Sequence, residues 1–145
     1  MDYSVTIEKI KEDLKNIYFA NNKETLDHTL RIAKEFVFEE LDISTYGPFE
    51  IVALLHDVLE DCKDETRSSI QNRYELSDKI MDALEAITRR SDETYTDYIE
   101  RVSHNTLAKR VKKMDLLDNI HRNPHDPNFD SLRKRYRKAF KILSD

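Results

Sequence analysis

A histidine and an aspartate stand side by side, His56–Asp57, inside the most apolar stretch of the chain, between Ala53–Leu54–Leu55 and Val58–Leu59. An ionised carboxylate in such surroundings is costly unless it is paired or bound to a metal. Residues four apart share a helix face, so Glu60 lies one turn above His56 and Asp61 one turn above Asp57. Two further polar residues sit among apolar neighbours. His28 lies near the inward stripe of 25–33, and Asp115 lies among Val111, Met114, Leu116 and Leu117, with Asp118 and Asn119 one turn further along. Each has a plainer reading: His28 as a satisfied core or surface histidine, His56–Asp57 as an internal hydrogen bond, Asp115 as the partner of Lys112 or Arg122. Taken together, two histidines and two aspartates on three inward helices suit a divalent transition metal such as manganese, iron or cobalt. Fewer than six protein ligands leave positions for water and substrate. A thiolate zinc site is excluded, because Cys62 is the single cysteine.

Such a centre acts on anions, and anions need cations nearby. Arg89, Arg90, Arg101, Lys112 and Arg122 are the candidates, and Lys23 is the sole basic residue shortly before His28. Any one of them could equally belong to a solvated helix face. Tyr95 and Tyr98 could stack a base or simply pack. The basic run 133–138 falls on a helix whose inward stripe reads Leu132, Tyr136, Ala139, Phe140 and Leu143, so it reads as a solvated face.

These residues must be positioned by helices. One glycine, Gly47, in 145 residues excludes a Walker-type loop or a dinucleotide fingerprint and argues against β hairpins, all of which need glycine. Helical spacing places Ile7, Ile10, Leu14, Ile17 and Tyr18 on one stripe of a helix over 4–19. A second helix over 24–41 carries Leu26, Leu30, Ile32, Ala33, Phe36, Val37 and Leu41. A turn at 44–47 puts Pro48 first in a third helix, 48–61, apolar on nearly every side and therefore central. A short helix over 66–75 follows. Ser77, Thr94, Asn105 and Ser131 are the caps of four more, with a loop over 123–130. The sum is an all-α bundle of about eight helices forming a single domain over 1–145.

Composition narrows the partners. Charged residues make up 37%, mean hydropathy is -0.74, and no apolar run is long enough for a membrane span. With 24 Lys+Arg against 29 Asp+Glu, an acidic chain is a poor general nucleic-acid binder. A lone cysteine and no basic-then-apolar opening segment lead to the expectation of a cytoplasmic protein.

In this order the residues resemble the HD-domain phosphohydrolase superfamily, whose pattern is a histidine, an adjacent His–Asp pair and a distant aspartate. The string ALLHDVLED over 53–61 is similar to the ALLHDxxED segment of RelA/SpoT-type (p)ppGpp hydrolase domains, and VKKMDLLDN over 111–119 to their VKLADxxxN segment. Thr88–Arg89–Arg90, Tyr95, Tyr98–Ile99–Glu100–Arg101–Val102, Asn105 and Leu107–Ala108 are similar to a pattern of stand-alone HD proteins of the same branch. The likeness spans about 24–122. It implies an HD fold with a metal, most often Mn2+ (Fe2+, Co2+, Ni2+ or Zn2+ being the alternatives), held by His28, His56, Asp57 and Asp115. Glu60 and Asp61 would match the acidic pair that positions or activates the attacking water. Asn119 would match an asparagine near metal and nucleotide. Arg89, Arg90, Lys112 and Lys23, chosen for their charge, are the further expected substrate contacts. The implied activity is hydrolysis of a nucleotide phosphate or pyrophosphate ester, as in a (p)ppGpp 3′-pyrophosphohydrolase. A 5′-nucleotidase, a nucleotide pyrophosphatase and a non-catalytic nucleotide-sensing module are the alternatives. Two positions depart from the hydrolases: the lead-in to His28 is short, and Leu116 stands where Arg or Lys is common.

Overall fold

The computed structural model describes residues 2–34, 43–122 and 126–145, with the backbone alone for 43–45. Among them the secondary structure is helical, as the glycine-poor composition demands. The order is α1 (Ser4–Asp13), a π-helical turn (Leu14–Tyr18), α2 (Lys23–Ala33), α3 (Ile43–Leu55), α4 (Val58–Asp61), α5 (Arg67–Tyr74), α6 (Asp78–Ile87), α7 (Tyr95–Ser103), α8 (Thr106–His121), a 3-10 turn (Pro127–Phe129) and α9 (Asp130–Ser144). The all-α bundle of about eight helices is thus what the chain forms, α4 being a single turn. No helix among the described residues is long and apolar enough to cross a membrane.

Helix α3 is the axis. Phe49, Ile51, Val52, Ala53, Leu54 and Leu55 are all buried, and α1, α2, α6 and α8 pack around them. A helix apolar on every side has to be surrounded in this way. Helix α9 closes the bundle against α7 and α8. Polar side chains set the helix starts. Asn22, Thr66, Ser77, Thr94 and Asn105 each accept a hydrogen bond from the backbone N–H three residues on, satisfying a donor that has no partner within the helix.

Four details differ from the periodicity. The helix over 4–19 is not uniform: Phe19 N–H reaches the Leu14 carbonyl at 2.8 Å, an i→i+5 bond. The extra residue in that turn rotates the stripe. Ile17 is left 62% exposed, and Phe19 takes its inward place at 3%. The expected turn at 44–47 is instead part of α3, which begins at Ile43 and holds Pro48 in its interior. Gly47 does not turn the chain there. It lets the helix pass against Tyr3, whose ring carbons would lie 2.7 and 2.9 Å from any added Cβ. Ser131 does not cap α9, which starts one residue earlier from the 3-10 turn. Arg133, not Leu132, is the inward residue of its first turns. It is held there by Asp130 Oδ1 at 2.7 Å and the Asp126 carbonyl at 2.6 Å. The proposed extension of the second helix through Phe36, Val37 and Leu41, and positions 123–125 of the expected loop, lie outside the described residues.

Candidate metal centre

The central helix is expected to run unbroken through His56 and Asp57. It stops at Leu55, and α4 starts at Val58. At the break the His56 ring turns back so that Nδ1 lies 2.6 Å from the Ala53 carbonyl, the acceptor that serves the Asp57 N–H in a continuous helix. The carbonyl can only accept, so Nδ1 is the donor and Nε2 is left to face the cluster. Nε2 points into the bundle. It lies 3.1 Å from Asp57 Oδ2 and 3.3 Å from Asp115 Oδ1, yet it is buried without a hydrogen-bond partner among the described residues.

His28 on α2 repeats the arrangement. Its Nδ1 lies 2.5 Å from Asp118 Oδ2, and Arg31 fixes that carboxylate with two bonds of 2.9 Å. Its Nε2 lies 2.7 Å from Asp115 Oδ1. The two rings meet edge to face with centres 5.5 Å apart. Ligand atoms of His28, His56 and Asp57 fall within 4.8 Å of one another, and Asp115 touches both histidines. The Nε2 atoms of His28 and His56 thus converge with the carboxylates of Asp57 and Asp115. Such a set suits a cation placed among them. Imidazole nitrogen mixed with carboxylate oxygen suits a divalent transition metal.

The carboxylates draw positive charge into the cluster. Burial alone would push the His56 imidazole down, but Asp57 and Asp115 outweigh it and hold His56 well above its ordinary value. Burial would raise the Asp57 carboxyl; His56 outweighs that and holds it below the usual range. Asp115, whose burial acts the same way, is held well below by Lys112 and the two histidines. Lys112 is itself buried in the wall, its Nζ 2.7 Å from Asp115 Oδ2.

A cleft of about 220 Å³ opens onto this cluster. Thr25 and His28 line it from α2, Asp57 and Glu60 from the α3–α4 break and α4, and Lys112, Asp115, Asn119 and Arg122 from α8 and its end. Arg89, Tyr95, Tyr98, Arg135 and Tyr136 complete it. Glu60 faces the cleft from α4, its carboxyl pushed above the usual range by partial burial and by Asp57. Asp61 is raised for the same reasons but is exposed and stands outside the wall. Asn119 reaches Asp115 Oδ1 at 3.3 Å and receives Arg122 Nη1 at 3.0 Å.

The other anticipated substrate contacts separate. Arg89 and Lys112 are in the wall; Arg90 is exposed and outside it. Lys23 is exposed and bonded to Asp27 at 2.7 Å. Arg101 is spent on structure, holding Glu93 and the carbonyls of Glu85, Ala86 and Thr88. Tyr98 packs, donating to the Ile87 carbonyl at 2.5 Å. Two residues escaped sequence reasoning. Arg31 fixes the Asp118 carboxylate that holds His28, a pairing between α2 and α8. Arg135 lines the cleft although its run reads as a solvated face. Comparison with known proteins finds no matching family model and no matching curated protein.

Proposed function

We propose that the protein is a metal-dependent phosphohydrolase of the HD type, acting on a phosphate or pyrophosphate ester of a nucleotide. One observation carries the reading: His56 Nε2, buried and unpartnered, aimed at the oxygens of Asp57 and Asp115 while its Nδ1 is pinned to a backbone carbonyl. His28, His56, Asp57 and Asp115 would hold the metal. When bound, a divalent cation supplies Lewis-acid activation of water and of a phosphoryl oxygen. Glu60, at the cleft wall beside Asp57, is the group placed to take a proton from water, and its raised carboxyl is suited to that task. Lys112, buried between Asp115 and the Tyr98 ring, offsets the carboxylates and keeps the cleft from repelling a phosphate. Asp118, clamped by Arg31, holds the His28 ring in place.

The test has two readouts. Elemental analysis should find about one divalent transition metal per chain, abolished by His56→Ala or Asp57→Ala. Mn2+ should raise the unfolding temperature of the wild type alone, since a ligand of the folded state adds to its stability. Phosphate release from the manganese-loaded chain should then be screened over nucleotides, including (p)ppGpp. Equal metal content in wild type and Asp57→Ala rejects the centre. Bound metal with no release from any nucleotide favours the non-catalytic sensing module.

A further inference from the structure

Helix α9 carries six cations, and Arg133 is the only one of them with a carboxylate partner among the described residues. Lys134, Arg135, Arg137, Lys138 and Lys141 are exposed. Lys113 of α8 joins them, its Nζ 5.4 Å from the centre of the Phe140 ring. The acidity of the chain lies elsewhere: residues 105–145 hold 11 Lys+Arg against 5 Asp+Glu, whereas residues 1–104 hold 13 against 24. Like charges on one helix face repel one another, and a negative partner removes that repulsion. Beside this face runs an apolar groove of about 120 Å³. It is lined by Thr96 and Ile99 of α7 and by Arg135, Lys138, Ala139 and Ile142 of α9. Ile99 and Ala139 belong to the core, whereas Thr96, Arg135 and Lys138 are exposed. The groove is therefore apolar within and cationic at its mouth.

We propose that the α7–α9 groove and its basic rim dock an acidic segment of a partner protein. One apolar side chain of that segment sits against Ile99 and Ile142, and its carboxylates meet Lys138 and the neighbouring cations of α9. Burial of the apolar anchor supplies affinity, and the charges steer the encounter and fix the register. A nucleic acid or an anionic membrane matches the surface less well. From Lys134 to Lys141 the basic stripe spans roughly 10 Å of helix, and a longer polyanion runs on into the acidic remainder of the chain. A groove that takes an apolar side chain answers neither a phosphate backbone nor a sheet of headgroups. The docking site stands independently of the hydrolase reading. Arg135 also lines the metal cleft, so it is left unaltered in the test.

The test selects short random peptides displayed on phage against the immobilised full chain, and measures the recovered peptides in solution by fluorescence anisotropy. The recovered sequences should share an apolar residue flanked by Asp or Glu. Lys138→Glu and Thr96→Trp, both at exposed positions that spare the core, should each loosen these peptides about tenfold, the first by reversing charge and the second by filling the groove. Lys15→Glu, exposed in the π-helical turn and outside these helices, is the charge control and should shift the affinity by less than about twofold. A selection without an acidic consensus overturns the proposal, as do peptides whose binding ignores both Lys138→Glu and Thr96→Trp, or falls equally in Lys15→Glu. So does a mixed-sequence oligonucleotide or a phosphatidylserine vesicle that outcompetes every selected peptide. Phosphate release plays no part in the readout. A chain that hydrolyses nothing yet binds these peptides through Lys138 keeps the docking site and loses the hydrolase; a hydrolase that binds none of them does the reverse.

Discussion

Arg101 and His56 are the hubs of two charged clusters built in opposite ways. Arg101 uses all five of its N–H donors: two on Glu93 at 2.8 and 2.9 Å, and three on the carbonyls of Glu85, Ala86 and Thr88 at 2.9 to 3.1 Å. Those carbonyls lie at and just past the end of α6, where helical bonding runs out; Glu85 also receives the Thr88 N–H at 3.2 Å. Nothing in that cluster is left over. Around His56 the count runs the other way: two carboxylates crowd one imidazole nitrogen, which has no hydrogen-bond partner among the described residues. Complete satisfaction marks a group that holds the fold. A buried surplus of one kind of group marks a place prepared for something else. By that criterion Arg101, one of the substrate contacts suggested by charge alone, belongs to the scaffold.

That contrast can be broken at either pole. On the unsatisfied side, Glu60→Gln keeps size and hydrogen bonding but removes the base. We expect metal content to stay near wild type and kcat to fall about 10²–10⁴-fold, the usual share of general-base catalysis. Full activity would remove Glu60 from the mechanism, and loss of metal would make it a ligand instead. On the satisfied side, Arg101→Ala leaves Glu93 with the Arg90 N–H and takes the side-chain donor from three carbonyls, of which Glu85 keeps the Thr88 N–H. We expect a loss of about 3 kcal/mol in urea unfolding, with metal content of the folded protein unchanged. A loss confined to substrate affinity would return Arg101 to the site.

The smallest effect is one of pH. Arg101 hydrogen bonds hold the Glu93 carboxyl down to about 2, against 4.5 for the free group. Because the folded value is the lower one, the contribution of the clamp is complete above 4.5 and fades as pH falls from there toward about 2. The urea midpoint should therefore drop more steeply between about pH 5 and 3 in wild type than in Arg101→Ala. Parallel curves would show that the pair contributes nothing measurable.

Sequence patterns revealed the faces of helices better than their breaks. Asn105, Thr94 and Ser77 start helices because a side-chain oxygen beside an apolar period is a local signal. The apolar surround of Leu54 and Leu55 likewise placed α3 at the centre. His28, His56 and Asp57 were legible because polar groups on inward stripes are anomalous wherever the helices meet. The end of α3 was not, since it depends on the His56 ring reaching the Ala53 carbonyl. Nor was Arg135. A helical period tells which residues share a stripe but not how the helix is rotated against its neighbours, and a fraction of a turn puts α9 charge into the cleft. The pairing of Arg31 with Asp118 spans 87 positions, beyond any local pattern.

The π-helical turn at Leu14–Tyr18 bears on chain length. Its single wide ring, closed between the Leu14 carbonyl and Phe19 N–H, holds one residue more than an α-turn needs, and the residue turned outward there is Ile17. Both ends of the ring are anchored in the core by Leu14 and Phe19. The surplus is thus confined between two fixed points, so this segment can lose a residue by tightening from a π to an α ring without displacing either anchor. Elsewhere in the buried helices the same deletion would turn every later side chain by a hundred degrees or so. A one-residue deletion in this sequence has a ready place to fall, at this turn.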